Sequence, residues 1–195
     1  MMAKKMTVRS LRAQKTKKKL FQSAAKLMDK YGYENVTIED ICRKAGVSIG
    51  AFYHYYNSKS DIIMEVFKQI DYYFEEMVAP GFTDDAVANI KTFFHHYAQF
   101  HVNQGYGHTS MVVKIQNSFF LDKSRYIHIK LNELVASAKT QGAFISDEND
   151  ETIADFFLVV ARGMLFDWSL ARGEYDLIEK MDAYIGLAIS SFAIQ

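Results

Sequence analysis

The chain of 195 residues is 49% hydrophobic, enough for a folded core and too apolar for a disordered chain, and its 23 basic and 23 acidic residues cancel. The cancellation hides a separation: residues 1–60 hold 13 Lys or Arg and 4 Asp or Glu, a balance of +9, and the remainder holds 23 − 13 = 10 against 23 − 4 = 19, a balance of −9. The longest apolar run, Phe156 to Ala161, falls far short of the roughly 18 residues of a membrane span.

With one proline, ten glycines and no sustained strand-like alternation, an all-α protein is expected. The basic N-terminus precedes no apolar segment, so no secretory signal is read there. Lone Cys42 forms no internal disulfide and reads as a buried small hydrophobe. Both observations fit a reducing cytoplasm.

After a short arm, a long helix is expected from about Ser10 to Tyr31. Leu20, Ala24, Leu27, Met28 and Tyr31 lie on one side, and Arg12, Lys15, Lys17, Lys18 and Lys19 crowd its start. Thr37 and Asp40 have the spacing of a capping box and open a second helix with Ile38, Ile41, Cys42 and Ala45 on its apolar side. Gly46 ends it, Val47 plugs the corner, and Ser48 caps a third helix that turns Phe52 and Tyr56 inward. Helix, tight turn, helix is a helix-turn-helix. The cations of the first helix could serve solubility, a membrane surface or phosphate neutralisation, and a helix-turn-helix within a few residues of them favours phosphate. The outer side of its second helix carries Ile49, Gly50, Ala51, Tyr53, His54 and Tyr55 in place of the usual Lys, Glu and Gln. A helix entering a major groove needs a slim N-terminal end, apolar contact for thymine methyls and hydroxyls for phosphates.

The run from about Lys18 to Phe67 resembles the DNA-binding head of the TetR family of transcriptional regulators. The resemblance rests on Thr37, the Ala45-Gly46-Val47-Ser48 turn, Gly50, Tyr53 three positions before aromatic Tyr56, and Lys59. It implies that Ile49, Gly50, Ala51, His54 and Tyr55 face bases or the neighbouring backbone, with Ser48 as the cap at that end. It also implies that Thr37, Tyr53 and Lys59 hold phosphates. Tyr56 departs from the Phe usual in the family. The implied DNA-binding domain is residues 10–57, with 58–195 left for ligand binding and dimerisation.

Ser58, with Asp61 at the third position, starts a helix from Lys59 to about Met77, stopped by Pro80-Gly81, with Lys59 aimed outward near its N-terminus. Asp84 or Asp85 caps the next, running to about Asn103, where Gly105-Tyr106-Gly107 interrupts it. His108 to about Phe120 is a short helix, and Asp122 or Lys123 begins another to about Thr140. This Gly-hinged, aromatic region is where a bundle leaves a cavity. Phe67, Tyr97, Met111, Ile115, Phe119 and Trp168 are the candidate ligand residues. Ser146 or Asp147 opens a helix to about Arg172 that is apolar almost all round, and a last helix starts at about Asp176. Too few helices remain to cover both, so a twofold homodimer joined by a four-helix bundle is expected, as the resemblance also implies.

Five of the six histidines fall between His95 and His128, but His95, His96 and His101 do not have the i, i+4 spacing that puts two imidazoles on one helical face. No metal site, cofactor or catalytic motif is read. The expected function is a repressor that leaves a pseudo-palindromic double-stranded operator when a small apolar ligand binds. The alternatives are an architectural DNA-binding protein without inducer, and a carrier or enzyme that inherited the head.

Overall fold

The computed structural model describes residues 8–114 and 121–193. Within them every regular element is helical, and the sole bridge is an isolated antiparallel pair, Phe144 with Ala193. The elements are α1 (Val8–Tyr31), α2 (Ile38–Ala45), α3 (Ile49–Tyr53), α4 (Lys59–Tyr73), α5 (Ala86–Gln104), α6 (Tyr106–Lys114), α7 (Tyr126–Thr140), α8 (Asp150–Leu170) and α9 (Leu177–Ser190). The chain forms two compact units, Met1–Glu65 and Val66–Gln195, divided inside α4.

In the first unit α1 buries Leu20, Phe21, Ala24 and Met28, a stripe at i, i+4 spacing. They meet Val36, Ile41, Cys42, Ala45, Phe52, Tyr56 and Ile62 in the core of this unit. The capping box at Thr37 is complete, and Gly46 leaves α2 in the left-handed conformation at φ 67°, where any side chain would be strained.

The second unit is organised around aromatic rings. Phe74 lies 4.4 Å from Phe93 between centroids, Phe93 packs edge-on to Phe94, and Phe94 and Phe144 meet Phe157 of α8. Beyond α4 the chain widens into a π-turn, Phe74–Val78, and tightens into a 3-10 turn, Ala79–Gly81, where Pro80 has no N–H to continue a helical ladder. Buried Asn89 then fastens the following loop. Its side-chain oxygen accepts from Thr83 N at 2.9 Å, and its amide donates to Thr83 O at 2.6 Å.

Three helix starts differ from expectation. Helix α6 begins at Tyr106, directly after Gly105, which alone carries the break with φ 87°. Asp122 accepts from the N–H and hydroxyl of Ser124, closing a local turn, so α7 starts only after Arg125. Helix α8 is capped by Asn149, whose side chain accepts from Thr152 N at 2.8 Å, while Ser146 turns the preceding loop by accepting from Glu148 N. The segment offers several capping side chains in a row, and composition alone does not choose among them.

Candidate functional site

The helix-turn-helix is built from local rules. Thr37 Oγ1 accepts from Asp40 N at 3.1 Å, and Asp40 Oδ2 accepts from Thr37 N at 3.1 Å and from the Thr37 hydroxyl at 2.7 Å. These bonds from Thr37 hold the Asp40 carboxyl below its ordinary range, and Arg43 pairs with it. Thr37 is exposed, but the box occupies both its N–H and its hydroxyl proton. Ser48 Oγ accepts from Ala51 N at 3.1 Å and opens α3.

Phe52 is completely buried and fixes the rotation of α3. Ile49, Gly50, Tyr53 and His54 therefore face solvent, and Ala51 and Tyr55 are half-exposed. A Cβ on Gly50 would meet only Ser48 Oγ, at 3.9 Å, so packing within the chain does not require glycine there. His54 and Tyr55 form an edge-on ring pair with centroids 5.0 Å apart. Arg12, Lys15, Lys18 and Lys19 of α1 are exposed cations. Lys17 is spent otherwise, on an ion pair with Glu65 at 2.8 Å and on the face of Tyr56. The hydroxyl that distinguishes Tyr56 from the family's usual Phe is buried without a hydrogen-bond partner among the described residues, and burial raises its pKa.

Lys59 corrects the expectation that it points outward. Its Nζ donates to the carbonyls of Tyr33 at 2.6 Å and Val36 at 2.9 Å and lies 4.1 Å above the Tyr33 ring. An ammonium has three donors, so one remains for a phosphate. The residue first ties the α1–α2 connection to the start of α4. Sequence spacing places Lys59 on a helix but does not reveal carbonyls that lie 26 and 23 residues away.

In the second unit the candidate ligand residues divide. Phe67 and Tyr97 line one cavity with Ile70, Phe100, His101 and Arg125, and its volume is about 10 Å³, room for about one water. Trp168 is not in that wall. Its indole N–H donates to Tyr175 O at 3.0 Å and fastens the turn between α8 and α9. Met111 is on α6, its side chain undescribed; Ile115 and Phe119 lie outside the described residues.

Sequence reasoning missed Arg125 and Asp71. Arg125 is 6% exposed, and its guanidinium donates to Asp71 at 3.0 and 3.3 Å while covering the Phe67 ring at 4.7 Å. Nearby His101 bonds Thr109 Oγ1 at 3.2 Å. Burial, with help from His108 and Arg125, pushes its pKa down to about 3. Burial pushes His108 down to about 4. His95 pairs with Asp182 at 3.0 Å and His96 with the Tyr73 hydroxyl at 2.8 Å, so these imidazoles have separate partners.

Residues 20–66 match the sequence model described as "Bacterial regulatory proteins, tetR family". The chain is 29% identical over 69 residues to the transcriptional regulator AcuR of Cereibacter sphaeroides, covering 35% of this chain and 32% of that protein. It is 35% identical over 54 residues to the HTH-type transcriptional regulator BetI of Agrobacterium fabrum, covering 28% of this chain and 26% of BetI. The match thus spans about a third or less of these relatives' length. The fold extends further: FadR of Bacillus subtilis, in complex with stearoyl-CoA, superposes with a TM-score of 0.73 at 17% identity, over 90% of this chain and 98% of that one. The helix-turn-helix, the profile it matches and the regulators that share it show that residues 20–66 are similar to the DNA-binding head of the TetR family of transcriptional regulators.

Proposed function

We propose that the protein is a homodimeric transcriptional repressor that sets α3 of each protomer into a major groove of a pseudo-palindromic operator and is released by a small, largely apolar ligand. The observation that carries the reading is the outer side of α3: Ile49, Gly50, Tyr53 and His54 are exposed on a unit rich in exposed cations. In this reading Ile49, Gly50, Ala51, His54 and Tyr55 meet bases or the adjoining backbone. Tyr53, the remaining donor of Lys59 and a Thr37 hydroxyl turned from Asp40 to the backbone meet phosphates, with Ser48 as the cap at that end of α3. The first unit is the DNA-binding head and the second holds ligand and dimer contacts, in a protein of the cytoplasm.

The dimer rests on α8. Phe156, Val159, Phe166 and Leu170 are 41%, 60%, 51% and 67% exposed, and with Gly163 their spacing is 3, 4, 3, 4, the period of a helix–helix seam. Tyr184 and Leu187 of α9 add to the exposed apolar surface. The ligand rests on the cavity beside Phe67 and Tyr97, and the stearoyl-CoA held by FadR supports a pocket in this fold. The architectural alternative draws on the small size of the cavity, and a ligand that displaces DNA would exclude it.

The test is titration of duplex DNA at rising salt with the full chain and with Lys59→Ala. The wild type is expected to lose affinity steeply with salt. Lys59→Ala is expected to bind all sequences more weakly, with a salt slope smaller by about one. It is also expected to lose roughly 1–3 kcal/mol of head stability, because two carbonyls lose their donor. An unchanged slope removes Lys59 from the interface, and salt-independent binding by the wild type overturns the reading.

A further inference from the structure

Arg125 is a charge set into an apolar wall, and the way it is neutralised suggests what the second unit binds. Its Nε donates to Asp71 Oδ2 at 3.0 Å, its Nη2 donates to Oδ1 at 3.3 Å, and Ile127 N, in the first turn of α7, donates to Oδ1 at 3.3 Å. A guanidinium edge and a backbone N–H thus converge on one planar carboxylate, a receptor filled by the chain's own Asp71. A buried guanidinium left empty would cost several kcal/mol, so the receptor must hold an anion in every state.

The pair is asymmetric. The Arg125 side chain is 4% exposed and that of Asp71 20%, so the carboxylate has a route to water that the guanidinium lacks. The cavity shares Arg125 and Ile127 with this receptor, and its other walls include Phe67, Ile70, Phe100 and Val112. An apolar body attached to a carboxylate at Arg125 falls among those side chains. A dianionic phosphate would bring more charge than one guanidinium offsets, and its tetrahedral oxygens suit the planar edge less well.

We propose that the ligand of the second unit is an apolar carboxylic acid whose carboxylate replaces Asp71 on Arg125 and Ile127 N while its body opens the cavity. The inference rests on the ligand-binding reading of this unit and specifies its chemistry. Exchange ends the bonds that hold α4, through Asp71, to the start of α7. Helix α4 is also the helix whose first residue, Lys59, bonds the α1–α2 connection. Because Asp71 competes for the receptor, the apparent affinity for the acid is its intrinsic affinity multiplied by the fraction of molecules in which Asp71 is released.

The experiment compares octanoate and phenylacetate with octanamide and phenylacetamide, binding being followed by calorimetry on the full chain and on Asp71→Asn. The acids are expected to bind at least about tenfold tighter than their amides, equivalent to about 1.4 kcal/mol. Asp71→Asn, which keeps the side-chain shape and removes the charge, is expected to tighten the acids about tenfold further and leave the amides unchanged. The wild-type comparison stands even if the variant folds poorly. Acids and amides binding alike, failure of both acids to bind, or a folded Asp71→Asn with unaltered preference would overturn the proposal. DNA titration of the same wild-type sample separates the two readings. Acid preference without DNA binding removes the regulator and keeps the carboxylate site, and DNA binding without acid preference does the reverse.

Discussion

Phe166→Glu combined with Leu187→Glu is expected to convert a dimer into a protomer of 22.4 kDa and to reduce operator affinity by about 10² to 10⁴. Both side chains are mostly in water within one chain, at 51% and 69% exposure, so the protomer itself loses little when they change. In a dimer they would be covered, and glutamates on twofold-related helices would bring like charges into an apolar seam. Gly163 lies within the α8 stripe, and a Cβ built there meets nothing within 4 Å, so packing in one chain does not explain the glycine. Close approach of a second helix in the proposed dimer would. The loss of DNA affinity follows because a protomer reads one half-site, whereas the dimer links two. Light scattering on wild type and variant checks the result, and a wild type already at protomer mass would contradict it.

Acidification is expected to destabilise the second unit before the carboxylates titrate. His101 and His108 are buried and neutral, with pKa values of about 3 and about 4 against an ordinary 6.5. Between those values and 6.5 the unfolded chain binds more protons than the folded one, so stability falls as pH drops through that window and is unaffected above it. Each histidine contributes up to about 1.4 kcal/mol per pH unit. The chain's one tryptophan, Trp168, is buried in this unit and reports its unfolding. Denaturation followed by its fluorescence at about pH 7.5, 6 and 5 should show a falling midpoint, with a shallower fall in His108→Gln. An identical pH dependence in the variant would remove His108 as a source.

Whether a feature was legible in the sequence depended on how local its cause is. The capping box at Thr37, the left-handed Gly46 and the Ser48 cap arise within a few residues, so the helix-turn-helix is written in the chain. The inward turn of Phe52 follows from its spacing to Tyr56, and with it the exposure of Ile49 and Gly50. Lys59 was legible as a position but not as a direction, because its acceptors belong to a distant loop. Arg125 was not legible at all. It reads as an ordinary polar residue near a helix start, and only the fold brings Asp71 and the Phe67 ring to it. Trp168 reads in the sequence as one more aromatic candidate for the cavity, and only the fold brings the carbonyl of Tyr175 to its indole N–H, at the α8–α9 turn.

The central claim is that α3 reads bases in a duplex, and selection of bound sequences from a random DNA pool with the wild type and with Ala51→Leu tests it most directly. The wild type is predicted to enrich pseudo-palindromes with half-sites about one helical turn, or a multiple of it, apart. Ala51→Leu is predicted to keep that spacing and change the preferred bases within each half-site. No enrichment by the wild type, or the same bases recovered by both proteins, would contradict it.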